Sequence, residues 1–406
     1  MKNNEKNVII ERAEIITPFG NKDETLNSLY AGKSAVVAED YLGLPVSLAH
    51  IPENYPKTTK QIVEYYRNLS VGAHCIRPNM QMPREQMPSE QQGVCNTPLQ
   101  QYNSPKTLFI YSIAKGDING IIDKSYTAYS PIPEEQAKQI AAELGLGASK
   151  IMVSGNACAA GAAAIDTARL FLTNGTFETV VIFGLEQISE FTVSGFHALS
   201  AISPSGARPF DKNRNGMSLG EGSGICVLKY ATPQKNDICV LGSGASNDAN
   251  HRTGPSKTGD GLALAIERAL KSANIHATEI SAIKCHGTAT PYNDAMEAKA
   301  LKLIFGKKIP PMVSLKGAIG HLSGAGSMIE TVISAEFLKY GKIPPTIGFE
   351  EFEGEEQISV SSIGRGEETF APIQDNTILC LSAGFGGINT AVILRKIPYF
   401  SAGKFV

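Results

Sequence analysis

An α/β protein of two packed halves is what this sequence predicts, and three observations carry that expectation. Short β-branched runs alternate with Ala-rich stretches of helical period, the pattern of strands interleaved with helices. At 406 residues the chain exceeds one ordinary core and suits two. The polar, proline-containing stretch Ala231-Thr232-Pro233-Gln234-Lys235-Asn236 places a boundary near 235, giving halves 1–235 and 236–406.

The elements follow in order. Asn7–Ile10 reads as a strand, and Asp23–Ala31 as a helix that stops at Gly32. Thr107–Ser112 is a strand, Pro133–Leu144 a helix opened by proline, and Lys150–Val153 a strand. Ala159–Leu172 is a helix closed by Asn174-Gly175. Strands over Thr179–Phe183 and Ile225–Tyr230 end the first half. The second half repeats the alternation, with strand Ile238–Leu241, helix Gly261–Ala273, strand Ala282–Cys285, helices Met296–Ile304 and Gly324–Tyr340, then strands Ile378–Leu381 and Thr390–Leu394. The repetition suggests an old duplication. One stretch, residues 77–104, is rich in Pro, Gln and Met without period; it reads as a long surface loop or a functional loop over an entrance or dimer edge.

Bulk composition excludes several classes. Hydrophobic residues are 42% and charged residues 19%, a globular balance. A formal net charge of −2 offers no field for nucleic acid or an acidic membrane. Asp166 and Arg169 interrupt the most apolar stretch, and the polar start Met1-Lys2-Asn3-Asn4-Glu5-Lys6 has no signal-peptide character. Seven cysteines without a CxxC pair suggest neither a disulfide framework nor zinc, so a cytoplasmic location is expected.

Four clusters carry chemistry. Cys158, in Ser154-Gly155-Asn156-Ala157-Cys158-Ala159-Ala160-Gly161, sits between a predicted strand and a predicted helix. It is either a small buried hydrophobe or a nucleophile whose thiolate is favoured by a helix N-terminus, with a lowered pKa. His286 opens the second cluster, Cys285-His286-Gly287-Thr288-Ala289-Thr290-Pro291-Tyr292-Asn293-Asp294, where a strand ends. The third, Ser314-Leu315-Lys316-Gly317-Ala318-Ile319-Gly320-His321, lacks the GxxxxGK[ST] order of a phosphate loop. The fourth, Ala383-Gly384-Phe385-Gly386-Gly387, is either a tight turn or a donor of backbone N–H groups to an oxyanion. No two of Cys158, His286 and His321 share a helix face or short loop, which disfavours a closed zinc site.

Together, in this order, the clusters resemble the β-ketoacyl synthases of the thiolase superfamily. The likeness also takes in Ile16-Thr17-Pro18-Phe19-Gly20, Arg208-Pro209-Phe210-Asp211 and Gly220-Glu221-Gly222. It implies a thiolase-like fold of two pseudo-duplicated halves in αβαβα layers, usually dimeric. It implies an elongating enzyme that condenses an acyl-Cys158 with malonyl-carrier protein to give a 3-ketoacyl product, without a cofactor. Cys158 is then the nucleophile, His286 and His321 the catalytic imidazoles, Lys316 the accompanying lysine and Glu330 its network partner. Thr288 and Thr290 match the pantetheine-binding threonines, and Asp294 the residue bracing the loop. Phe385 matches the gate, its N–H pairing with that of Cys158 as oxyanion hole.

Three relatives separate on these residues: degradative thiolases have a second Cys in the Phe385 turn, acyl-coenzyme A initiating synthases have Asn where His321 stands, and chain-length-factor subunits lack the nucleophile. Asn293 departs from the HGTxTxxGD pattern. Tyr111–Ile118 departs from a glycine-rich strand end and puts Lys115 near a normally apolar tunnel wall. The region between that strand and Cys158 is also shorter than usual. These departures suggest a specialised polyene or aryl-polyene synthase, as a homodimer or paired with a related subunit. Lys57, Lys60 and Arg67 are the candidate carrier-protein patch, with His197 where relatives often place Arg.

Overall fold

The computed structural model describes residues 6–69, 99–116, 118, 129–352, 360 and 370–398; the stretch 77–98, with Cys95, and Cys75 lie outside them. β1 (Asn7–Thr17) runs into the short β2 (Gly20–Asn21), and β3 (Val37–Tyr41) with β4 (Leu44–Ala49) forms a hairpin. β5 (Thr107–Ser112), β6 (Lys150–Ser154), β7 (Thr179–Glu186), β8 (Leu219–Gly220) and β9 (Gly222–Ala231) follow. The second half supplies β10 (Ile238–Asn247), β11 (Ala282–Lys284) and β12 (Met312–Val313). It ends with β13 (Lys342–Ile343), β14 (Ala371–Pro372), β15 (Thr377–Gly384) and β16 (Ile388–Lys396).

Most strands join one mixed sheet in the order β12-β11-β15-β16-β10-β1-β9-β7-β5-β6. The two halves of that order repeat one pattern. From β1 outward the pairings are antiparallel, antiparallel, parallel, parallel (β9, β7, β5, β6). From β10 outward they are the same (β16, β15, β11, β12). Within this sheet, among the described residues, the halves are joined by β1 and β10 at Val8↔Val240 and Ile9↔Cys239. The duplication suggested by the similar make-up of the two sequence halves is therefore visible in strand order.

Helices fill three layers. Ala160–Thr173 and Ser323–Tyr340 pack on each other and on strands of both halves, forming the central layer. Their residues are apolar around most of the circumference, as a helix buried on all sides requires. Thr59–Leu69 and Pro133–Glu143 cover the outer face of the first half, and Asp260–Ala273 and Pro291–Phe305 that of the second. The contact between the central helices is close: a Cβ on Gly161 would stand 2.3 Å from the backbone nitrogen of Met328. Glycine is needed there for space.

The elements read from the sequence are present with shifted ends. β1 extends seven residues past Ile10, and β10 six past Leu241, because an antiparallel partner, β9 for β1 and β16 for β10, keeps pairing their backbones. Helix Pro291–Phe305 begins five residues before the expected Met296, at a proline suited to the first turn. The hairpin β3–β4 and the helix Glu190–Ala198 are additions to the expected elements.

Candidate active site

β6 delivers Cys158 through a 3-10 turn, Ala157–Ala159, entered by Ala157 at φ 49°. A non-glycine residue in that left-handed region is strained, and the strain turns the chain sharply between strand and helix. The surroundings of the thiol differ from those the sequence suggested. Burial pushes its pKa up to about 12, with Lys316 pulling the other way, where a lowered value was expected. The reason is local: Cys158 lies in the 3-10 turn before the α-helix proper, enclosed in a packed site where desolvation outweighs the helix end.

His286 leaves the end of β11. Its backbone N–H donates to Glu297 Oε1 at 2.6 Å, and that of Gly287 to Glu297 Oε2 at 2.8 Å. Glu297, which sequence reasoning passed over, thus fixes the loop from the helix behind it. Burial raises its carboxyl to about 7, the two N–H donors acting against the rise. His321 follows Gly320 at φ 71°, and its N–H donates to the Ser218 carbonyl at 2.7 Å. The two imidazoles meet edge to face, centroids 5.4 Å apart. Both Nδ1 atoms are buried without a hydrogen-bond partner. Burial, then Lys316, hold both rings below the ordinary histidine range, His321 at about 3. Both are therefore neutral near pH 7.

Cys158, His286, His321, Thr288, Thr290 and Phe385 line one cavity of about 330 Å³. Thr288 Oγ1 and Thr290 Oγ1 are 2.8 Å apart. Asp294 accepts from the N–H of Phe210 at 2.7 Å and of Ala289 at 3.2 Å, tying together two residues with positive φ. The unusual Asn293 donates to the same carboxylate at 3.1 Å. Gly384, before Phe385, lies against the Cys158 turn: a Cβ there would be 3.3 Å from the nitrogens of Cys158 and Ala159. The Phe385 ring rests on Phe196, centroids 5.6 Å apart.

Lys316 and Glu330 sit behind the cavity. Lys316 Nζ donates to Glu330 Oε1 at 2.7 Å, and a second lysine, Lys284, to Glu330 Oε2 at 2.8 Å. Burial would raise the Glu330 carboxyl, but the two lysines hold it down at about 2. Sequence reasoning missed Lys284, which reads there as one polar residue at a strand end. Lys115, placed by the sequence near an apolar wall, makes a 2.7 Å ion pair with buried Glu186. In the basic patch, Lys57 pairs with Glu53 and Arg67 lies 3.5 Å from Glu64, which mutes its charge. Among the described residues no group of three or more His, Cys, Asp or Glu is placed to hold a metal ion. None of their helices is long and apolar enough to cross a membrane.

Comparison with known proteins matches residues 114–233 to the family described as beta-ketoacyl synthase, N-terminal domain, and 238–350 to the beta-ketoacyl synthase, C-terminal domain. The 3-oxoacyl-[acyl-carrier-protein] synthase 2 of Vibrio harveyi is 32% identical over 300 residues, covering 69% of this chain and 71% of that one. The ishigamide ketosynthase/chain length factor structure superposes with TM-score 0.79 at 23% identity, over 98% of this chain and 100% of that one. A type II PKS acyl-carrier protein in complex with its ketosynthase, AntDE:AntF, gives 0.76 at 21%, over 97% and 100%.

Proposed function

The chain belongs to the β-ketoacyl synthase family, and from that premise we propose that Cys158, His286 and His321 carry its carbon–carbon bond-forming acyl transfer in fatty-acid or polyketide synthesis. The observation that carries the assignment is their convergence: one thiol and two neutral imidazoles open on a single cavity between the two halves.

In the first half-reaction the Cys158 sulfur attacks an acyl thioester. Its proton passes to the leaving carrier thiolate, and the acyl group stays on sulfur. The oxyanion formed on the way is met by backbone N–H groups of Cys158 and of the Phe385 turn, which abuts it. In the second, a malonyl thioester loses carbon dioxide; the electron pair of the broken bond moves onto the thioester oxygen as an enolate. His286 and His321 each offer one N–H to that oxygen, a role only neutral or cationic imidazoles can fill. The enolate carbon attacks the acyl-Cys158 carbonyl, the thiolate leaves and takes a proton, and a 3-ketoacyl thioester results. The scheme uses no cofactor, since decarboxylation drives it. Thr288 and Thr290, on the cavity wall, are assigned to the pantetheine arm.

The reading takes an acyl carrier protein as donor of both units, and an identical or related subunit as dimer partner. Two similar folds support this: one was solved with its carrier protein, another as a ketosynthase/chain length factor. The working location assigned is the cytoplasm. Incubation with a panel of acyl-carrier proteins, followed by intact mass spectrometry, tests the assignment. A single acyl adduct mapping to Cys158 and absent from Cys158→Ala is expected. An adduct that survives that substitution contradicts it.

A further inference from the structure

Lys284 is the last residue of β11, two positions before His286, and its side chain is fully buried. An ammonium there is costly unless a counter-charge meets it. Glu330 of the central helix meets it at 2.8 Å, and the Leu381 carbonyl of β15 accepts a second bond at 2.7 Å. Lys316 takes the other oxygen of the same carboxylate at 2.7 Å. One carboxylate therefore serves two lysines, with all three side chains at most 1% exposed. Two ammonium groups and one carboxylate leave one net positive charge.

That charge acts on the imidazoles. Burial and Lys316, then Lys284, favour the neutral form of each ring; Glu330 works the other way at His321. Besides Glu330, the groups that act most on Lys284 include the Cys380 thiol, kept protonated by burial, and the Glu297 carboxyl. At Cys158 the leading charges are those of Lys316, then Glu186 and Glu330, whereas Lys284 is among the leading charges at both imidazoles.

We propose that Lys284 is a positioning residue for the decarboxylation step: it clamps Glu330 from the sheet, completing a buried Lys284–Glu330–Lys316 bridge whose net positive charge favours the enolate held by His286 and His321. The inference rests on the assignment of those two imidazoles above. A lysine serving only as a structural counter-ion affects folding; this one affects a particular step.

The experiment measures carbon dioxide release from malonyl-acyl carrier protein in a Cys158→Gln parent, which cannot condense. Adding Lys284→Met is expected to lower kcat for release about tenfold with KM within twofold, the scale of one buried charge lost near a developing anion. Lys284→Gln, which keeps a donor for Leu381 without the charge, is expected to behave alike, and Lys284→Arg to retain most of the release. With Cys158 intact, Lys284→Met is expected to be alkylated by iodoacetamide within twofold of the wild-type rate. Release at the parent rate in either neutral variant overturns the proposal, as does failure of both to fold. A parent that releases no carbon dioxide overturns the imidazole assignment itself, and the proposal with it.

Discussion

The rings of His286 and His321 stand edge to face, their planes 82° apart, and both residues line a cavity that Cys158 also lines. Neither ring has a hydrogen-bond partner at Nδ1. Packing and burial hold their orientation and their charge state together.

One consequence is a pH-dependent stability. The folded His321 pKa, about 3, lies below the unfolded 6.5, burial being the main cause. As pH falls the unfolded chain binds the proton first, so the stability present above pH 6.5 is lost progressively toward pH 3. Between pH 7 and 5 this residue alone accounts for about 2 kcal/mol. Urea unfolding at both pH values is expected to show a smaller loss, by about that amount, in His321→Gln than in wild type. Equal losses contradict the buried neutral state.

The thiol makes a second testable case. Of the described cysteines, Cys158 is 8% exposed and lines the cavity, while Cys226, Cys239, Cys285 and Cys380 are at most 1% exposed. With its pKa near 12, alkylation at Cys158 is expected to be slow at pH 7 and to keep rising to pH 10. Peptide mapping after limiting iodoacetamide is expected to find Cys158 labelled first among these five. A rate that levels off below pH 8 contradicts the desolvated thiol.

The central layer is tested at Gly161. Its Cβ would collide with the Met328 backbone, which cannot move without the whole helix. Gly161→Ala is expected to cost about 3 kcal/mol in urea unfolding. Gly155→Ala, with nothing within 4 Å of the added carbon, is the control and is expected to fall within about 0.5 kcal/mol of wild type. Equal stabilities contradict the packing.

Much of this architecture was legible in the sequence because its central elements are strongly patterned. The Ala-rich helix after Cys158 and the β-branched runs of β5, β7 and β15 declare themselves by period and composition. The β3–β4 hairpin does not: its turn is Leu42-Gly43, with Leu42 at φ 56°, and leucine carries no turn signal. The catalytic candidates could be named because motifs bring them together, and the structure places Cys158, His286 and His321 around one cavity with Lys316 behind it. What motifs cannot carry is environment. The direction of the Cys158 pKa depends on burial by distant segments, and the importance of Lys284 on a carboxylate 46 residues away. Both are tertiary facts.

The proposed mechanism is tested most directly by separating decarboxylation from condensation. Cys158→Gln removes the nucleophile and leaves both imidazoles in place. It is expected to form no 3-ketoacyl product while still releasing labelled carbon dioxide from malonyl-acyl carrier protein. Adding His321→Ala removes one N–H from the enolate, a donor worth roughly 3 kcal/mol if it behaves as an oxyanion-hole group, and release is expected to fall by about two orders of magnitude. If the double variant releases carbon dioxide as fast as Cys158→Gln alone, His321 does not stabilise the enolate and the proposed mechanism is wrong.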